Sequence, residues 1–259
     1  METRLAAIYN VWDGEELIRG SIDCIKDYVD KIIIVWQDVS NFGEAYDPMP
    51  NLKFPFEIDK KVIHYRYEPT FGIGGAQNEV KKRNIGLEIA YNYDCTHFFH
   101  IDVDEYYQDF KSLKAEYFNS GKIGSACRIY TYFKKPTWRL ENMDGYYVPF
   151  IHELEEGTRA GNSSYPLYCD PTRTVTYSEQ CFVDDILVMS QPMHHYSWIR
   201  KDIGRKARNS SASPYGNKLK GLLDDYHLLN DSNAEGYVIN DMGGQRLKII
   251  DNLFGINVN

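Results

Sequence analysis

The sequence predicts an α/β protein whose first half is a mostly parallel, doubly wound sheet and whose second half is mixed. Three observations carry this. Apolar β-branched runs alternate with helically spaced segments from Leu5 to Asp104, polar residues gather where those runs end, and from Ser125 the texture changes to short strands and long loops rich in Tyr, Trp and Pro. Alternation specifies a parallel sheet because a parallel neighbour is reached only through a crossover, usually a helix.

Leu5 to Tyr9 is an apolar run that stops at Asn10, and Lys31 to Trp36 is a second, β-branched run; both read as buried strands. Between them Leu17, Ile18, Ile22, Ile25 and Val29 recur at helical spacing, so Glu15 to Tyr28 reads as a helix and the opening as a βαβ unit. Lys61 to Tyr67 then reads as a strand, Gln77 to Asn92 as a helix, and Thr96 to Ile101 as a fourth strand running into Asp102-Val103-Asp104. The glycine-rich stretch Phe71 to Asn78 fits neither the dinucleotide pattern nor the P-loop and reads as a flexible loop. In the second half, Ser125 to Phe133, Tyr146 to Ile151, Thr174 to Ser178 and Ile186 to Met189 read as strands, and Asp202 to Asn209 as a short basic helix. The end, from Asn240, reads as loop followed by a helix or strand.

A chain of 259 residues with 43 % hydrophobic content has enough apolar mass for a substantial core, which excludes a disordered chain. Its longest apolar runs fall far short of the roughly 20 residues that span a bilayer, and its N-terminus lacks a signal-peptide pattern, so a cytoplasmic location is expected. Five scattered cysteines without a C-x-x-C pair indicate reduced thiols, not a disulfide framework or a zinc site. The formal charge is −8, yet the segment from Arg200 to Lys220 carries Arg200, Lys201, Arg205, Lys206, Arg208, Lys218 and Lys220 against Asp202 alone. A local cation cluster on an acidic protein suits a phosphate-bearing ligand better than a coat of nucleic acid.

In open parallel sheets the ligand crevice lies outside the carboxyl ends of the strands. Those ends are Asn10, Gln37-Asp38, Glu68 and Asp102 to Asp104. Two carboxylates one residue apart on a strand point to the same side, about 6–7 Å from each other. Hard oxygen ligands of this kind suit Mn²⁺ or Mg²⁺ shared with substrate phosphates. One of Asp102 and Asp104 can then hold ribose while the other holds metal.

Four blocks carry a resemblance: A-I-Y-N-V-W-D-G-E-E-L-I-R-G-S-I (Ala7 to Ile22), V-D-K-I-I-I-V-W-Q-D-V-S (Val29 to Ser40), K-R-N-I-G-L-E-I-A (Lys82 to Ala90) and H-I-D-V-D-E-Y (His100 to Tyr106). The chain resembles the GT-A glycosyltransferases, in particular glycosyltransferase family 2 and related phage-encoded enzymes. The resemblance implies a Rossmann-like GT-A fold in one continuous domain, with residues 1–124 as the donor-binding half and 125–259 as the acceptor-binding half. It implies a nucleoside diphosphate sugar as donor, UDP in the first instance, with Tyr9, Asn10, Trp12, Gln37 and Asp38 around base and ribose and with Arg83 and Asn84 facing the nucleotide. The resemblance puts Asp102 on ribose and metal and Asp104 on metal, and Met193 to Asn209 is similar to the C-terminal element of these enzymes, in which a His is a further metal ligand; His195 is preferred here and His194 stays open. Arg200, Lys201 and Lys206 would then neutralise the leaving diphosphate, where fixed cations help most.

The acceptor would be a hydroxyl, on a 5-hydroxymethylated pyrimidine of phage DNA or on a glycan or lipid-linked saccharide. A phage enzyme would work in the host cytoplasm. For the catalytic base the candidates are Glu153 first and Asp170 second, then Glu155, Glu156 and Glu179. Two other classes compete. A nucleotidyltransferase would carry a basic glycine-rich loop after its first strand, where Asn10 to Glu16 is acidic; an inactive carbohydrate-binding relative would have lost the aspartate pair, which is intact.

Overall fold

The structure, a computed structural model, describes residues 2–49, 52–54, 56–162, 164–210 and 216–258, without the side chains of Phe56 and 216–218, so Lys218 lies outside the described side chains. The first half follows the expected alternation: β1 (Leu5–Val11), α1 (Glu15–Ile25), β2 (Lys31–Trp36), the short α2 (Phe56–Asp59), β3 (Val62–Arg66), α3 (Gly75–Asn92) and β4 (His97–Asp102). A two-residue β5 (Glu105–Tyr106) and α4 (Phe110–Ser120) follow. The second half holds β6 (Gly124–Cys127), β7 (Ile129–Phe133), β8 (Trp138–Leu140), β9 (Val148–Glu153), β10 (Arg159–Ala160), β11 (Val175–Thr176), β12 (Ile186–Val188) and β13 (Met193–Trp198). It ends with α5 (Ile203–Asn209), α6 (Gly216–Leu228), β14 (Val238–Ile239) and β15 (Gln245–Ile249).

Seven strands form the main sheet in the order β12-β6-β9-β4-β1-β2-β3. The β4-β1-β2-β3 core is parallel throughout, as is β12-β6, and β9 runs antiparallel to both β4 and β6. The fold is therefore α/β with a mostly parallel central sheet. Strands β1, β2 and β4 are buried on both faces, which is why they read as apolar runs, whereas edge strand β3 is largely exposed. Leu5, Ala7, Tyr9 and Ile101 pack on the side of α1 and α4, whereas Ala6, Ile8, Ile33 and Phe98 pack on the side of α3. Gly86 lets α3 approach β1: a Cβ there would sit 2.2 Å from Ile8 Cγ2.

A second sheet, β14-β15-β8-β7-β13-β5, stands over the carboxyl ends of the first. The run from Ser125 to Phe133 is divided between the sheets, not one strand: β6 lies in the first and β7 in the second, with exposed Arg128 at the crossing. A charge at that position has no place in a strand covered on both faces. The chain end resolves as strand β15 followed by turns. Helix α4, absent from the sequence reading, is capped by Asp109, whose Oδ1 accepts from Ser112 N at 3.0 Å, and buries Phe110, Leu113 and Tyr117. The glycine-rich loop before α3 is pinned: Asn78 accepts from Tyr67 Oη at 2.6 Å and Thr70 N at 2.9 Å, and donates to Thr70 O. Among the described residues no helix is long and apolar enough to cross a membrane. All five cysteines are free thiols.

Candidate functional site

A cleft of about 650 Å³ opens at the carboxyl ends of β1, β2 and β4, between them and the second sheet. Strand β4 ends at Asp102, and Val103-Asp104 form a turn before β5. The two aspartates thus do not continue along one strand face; both line the cleft, each with its own partners.

Asp102 meets two arginines. Its Oδ2 accepts from Arg173 Nη2 at 2.5 Å and its Oδ1 from Arg83 Nη2 at 3.4 Å. Burial pushes this carboxyl up, but Arg173 and Arg83 outweigh it and hold it below the ordinary range. Arg173 also binds Glu105, donating to Oε2 at 2.8 Å and to Oε1 at 2.5 Å, while Glu105 Oε2 accepts from Asp102 N at 3.1 Å. Burial raises Glu105 despite Arg173. Arg173 is 98 % buried and ties the loop before β11 to the acidic strand end.

Asp104 belongs to a second group. Its Oδ2 accepts from Arg200 Nη2 and has Lys206 Nζ at 4.0 Å, and its Oδ1 lies 3.7 Å from His195 Nε2. Burial is again outweighed, here by Arg200, then His195 and Lys206, so the Asp104 carboxyl is held well below its usual range. The pairing of β13 with β5 explains the approach of His195, which stands opposite Glu105, while Tyr196 N donates to Asp104 O at 2.7 Å. Strand alternation separates the two histidines. His194 points inward, bonded through Nδ1 to Tyr132 Oη at 2.8 Å and pulled down to about 4 by burial, whereas His195 lines the cleft. Gly14 makes room for Arg200: its φ is +85° and a Cβ would lie 2.9 Å from the guanidinium carbon.

This group fits a divalent cation. Among the described residues Asp104 Oδ1 is buried without a hydrogen-bond partner, and it faces an imidazole nitrogen across a gap too long for a hydrogen bond. Glu105 is near enough to be a third ligand, but both of its oxygens are engaged by Arg173 and the Asp102 amide. Two protein ligands leave positions for water and phosphate, the usual arrangement for Mg²⁺-like ions. Both Asp102 oxygens are engaged by arginine, so Asp102 is less free than Asp104 to take a metal ion.

At the end of β1 and β2 the cleft collects buried polar atoms with no partner among the described residues: Asn10 Oδ1, Trp12 Nε1 and Gln37 Oε1. Such atoms are expensive unless something binds them. Three residues named with them are not brought there. Tyr9 is in the core, its Oη bonded to Ser21 Oγ at 2.9 Å. Asp38 pairs with Arg66 at 2.9 Å outside the cleft lining. Asn84 accepts from Ala160 N at 2.8 Å and so fastens α3 to β10.

The base candidates divide likewise. Glu153 pairs in register with His97, the first residue of β4, and so stands about 16 Å along the strand from Asp102, at the far end of the sheet. Glu155, Glu156 and Glu179 are exposed outside the cleft lining. Asp170 does line the cleft, but its Oδ1 caps Thr172 and its Oδ2 lies 3.5 Å from Arg173 Nε. The sequence reading missed Asp144. It lines the cleft, accepts from Thr131 Oγ1 at 2.8 Å through Oδ2, and has no arginine partner among the described residues. Thr131 is the register partner of His195, so Asp144 sits beside the Asp104–His195 pair. Burial pushes its carboxyl up. Lys82, Glu105 and Arg173 were also missed; Lys82 and Glu105 lie inside recognised blocks, but no spacing distinguishes them from neighbouring charges.

The basic run of α5 is engaged within the molecule. Arg200 binds Asp104, Arg205 binds Asp13 at 2.9 Å, and Arg208 binds Glu44 at 2.9 Å. Lys201 is exposed and, unlike Arg200 and Lys206, does not line the cleft.

No protein-family profile matches the chain, and no curated protein matches it in sequence. Among solved structures, S. aureus TarS aligns over 90 % of this chain and 45 % of its own, with 11 % identity and a TM-score of 0.43. TarS residues 1–349 align over 90 % and 74 %, with 13 % identity and a TM-score of 0.38. Mannose-1-phosphate geranyltransferase from Thermus thermophilus aligns over 60 % and 51 %, with 13 % identity and a TM-score of 0.33. The chain spans under half the length of the first of these, and likeness at this distance assigns no activity.

Proposed function

We propose that the protein is a divalent-cation-dependent glycosyltransferase that moves a sugar from a nucleoside diphosphate sugar, UDP in the first instance, to a hydroxyl of a glycan. The observation that carries this reading is the unpartnered Asp104 Oδ1 facing His195 Nε2, at the carboxyl end of a parallel sheet and beside Lys206. Asp104 and His195 would hold Mn²⁺ or Mg²⁺, whose charge offsets that of a diphosphate. Asn10, Trp12 and Gln37 would take the nucleoside, since their orphaned acceptors and donor match a hydroxyl-bearing, hydrogen-bonding ligand.

The chemistry asked of this chain is modest. The bond from the anomeric carbon to the phosphate oxygen breaks, its electron pair leaving with the nucleotide, where Lys206 faces the developing charge. Asp144 receives the proton of the acceptor hydroxyl through its unbonded oxygen as that hydroxyl bonds to the anomeric carbon. A single displacement of this kind inverts the configuration of the sugar.

A glycan is preferred over DNA because the cleft lining combines Asp144, Asp170 and Asp241 with Trp198 and Tyr146, and because the arginines of α5 already face carboxylates. Carboxylates and aromatic faces suit hydroxyl-rich rings and repel a phosphate backbone.

Calorimetric titration of nucleoside diphosphates with and without Mn²⁺, on the native protein, Asp104→Asn and His195→Ala, tests the reading. One nucleotide should bind in a Mn²⁺-dependent way, and both variants should lose that dependence. Binding indifferent to Mn²⁺, or no binding at all, would overturn it. With the donor in hand, Asp144→Asn should slow transfer about 10²–10⁴-fold at unchanged nucleotide affinity.

A further inference from the structure

The third turn of α3 carries two buried cations, Lys82 and Arg83, that make few hydrogen bonds. Lys82 is 4 % exposed, lines the cleft, and makes neither a hydrogen bond nor an ion pair among the described residues. Arg83 is 1 % exposed; among the described residues its one hydrogen bond is the 3.4 Å contact from Nη2 to Asp102, and Nε and Nη1 are buried without an acceptor. The nearest acid on the same helix, Glu79, is itself pushed up by burial and makes no ion pair with Lys82 within 4.0 Å.

The later part of the buried face is ordinary: Gly86, Leu87 and Ala90 pack against the sheet. Only its start, Asn78, Lys82 and Arg83, is polar where a sheet-covering helix would bury apolar residues. Asn78 is accounted for by its loop. Glu79 and Asp102 act on these cations through space, but among the described residues the 3.4 Å contact to Asp102 is the one hydrogen bond their side chains make. Buried charged donors left without acceptors are costly, and a ligand that supplies the acceptors removes that penalty.

We propose that Lys82 and Arg83 form an anion subsite on the α3 wall of the cleft that takes an oxyanion of the substrate. Its ligand is a carboxylate or a phosphate, recognised by charge-assisted hydrogen bonds from Lys82 Nζ and the free donors of Arg83. The subsite is separate from the Asp104–His195 pair; the identity of its ligand rests on the donor-site reading, whereas the presence of an anion subsite does not, and the two small probes below test it alone. Two sources present this chemistry there: a carboxylate on the transferred sugar, or the diphosphate.

The test compares native protein, Lys82→Met and Lys82→Arg by calorimetry with UDP, UDP-glucose and UDP-glucuronate in Mn²⁺, and by thermal shift with inorganic pyrophosphate and free glucuronate. If the sugar carboxylate is the ligand, the native protein binds UDP-glucuronate about tenfold or more tightly than UDP-glucose. That margin vanishes in Lys82→Met and survives in Lys82→Arg. If the diphosphate is the ligand, Lys82→Met weakens all three nucleotides by one common factor of about tenfold. Either pattern supports the subsite. Native affinities in Lys82→Met for every nucleotide overturn it. Should the native protein bind no nucleotide, the donor reading fails and the two small probes decide: a shift by either that is larger in native than in Lys82→Met supports the subsite, and equal shifts overturn it. Lys82→Met should fold, because it replaces a buried charge with an apolar chain of similar length.

Discussion

The helices α3 and α5 both bring cations to the same cleft, and they do so in opposite electrostatic states. On α5 and just before it, Arg200, Arg205 and Arg208 each meet a carboxylate from another part of the chain. On α3, Lys82 makes no hydrogen bond or ion pair within 4.0 Å among the described residues, feeling Glu79 and Asp102 only through space, and Arg83 has a single long contact. The basic run that stands out in the sequence is therefore mostly neutralised, and its arginines fasten the second half of the chain to the loops after β1, β2 and β4. The inconspicuous Lys-Arg step inside α3 is where, among the described residues, cationic donors remain without acceptors. Charge density along a sequence and charge available to a ligand are different quantities, and tertiary pairing decides between them.

The largest effect expected from this contrast is on stability. Arg200→Met leaves the Asp104 carboxylate buried without its main partner and should destabilise the protein by about 3–5 kcal/mol, read as a lower urea midpoint at unchanged slope. Lys82→Met removes a buried charge that makes no hydrogen bond or ion pair among the described residues and should raise the midpoint at pH 7. Equal losses in the two variants would break the comparison, because they would mean that Lys82 is paired after all.

The same distinction explains what the sequence disclosed. The parallel core of the first half was legible because its strands are apolar on both faces and helices separate them, so periodicity alone orders the elements. Asp104 and His195 were legible because one lies at a strand end and the other in a recognisable block, and the β13–β5 pairing brings them together. The second half was not. Its strands are short, and one apolar run serves two sheets, divided at Arg128. Asp144 and Arg173 sit in loops whose paths no local pattern fixes, and Glu153 read as a site residue only because direction along an antiparallel strand is invisible in sequence. Tyr9 was misplaced by a single position: along a strand, neighbours face opposite sides, so Asn10 reaches the cleft while Tyr9 enters the core.

A smaller effect follows from pH. Burial lowers Lys82 from its ordinary 10.5 to about 8. Between those values the unfolded chain holds a proton that the folded chain has released, so the stability of the native protein relative to Lys82→Met rises with pH across that window. The margin of Lys82→Met at pH 7 that is due to this group is about 3 kcal/mol, and it should close as pH approaches 10.5. Asp104 behaves in the opposite sense. Its folded carboxyl is depressed by Arg200, so its contribution is present above the ordinary carboxylate range and is lost only as pH falls toward the folded value. Urea midpoints for native, Lys82→Met and Arg200→Met between pH 3 and pH 10.5 would separate the two helices: an alkaline closure for the first variant, and an acid sensitivity that Arg200→Met lacks.

The smallest effect belongs to the exposed end of α5. Arg208 and Glu44 approach to 2.9 Å, but their side chains are 60 % and 35 % exposed, so water and salt screen the pair. Arg208→Ala should therefore leave both the melting temperature and Mn²⁺-dependent nucleotide binding unchanged. Arg205 lies one turn earlier, with its guanidinium 3.7 Å from the centre of the Tyr46 ring and its partner Asp13 only 7 % exposed. Arg205→Ala should lower the melting temperature and weaken nucleotide binding, since it releases the loop that carries Trp12 and Asp13 into the cleft. A loss with Arg208→Ala as large as with Arg205→Ala would show that the outer pair also holds the helix in place. The division between paired and available cations would then have to be drawn by position on α5 instead of by burial.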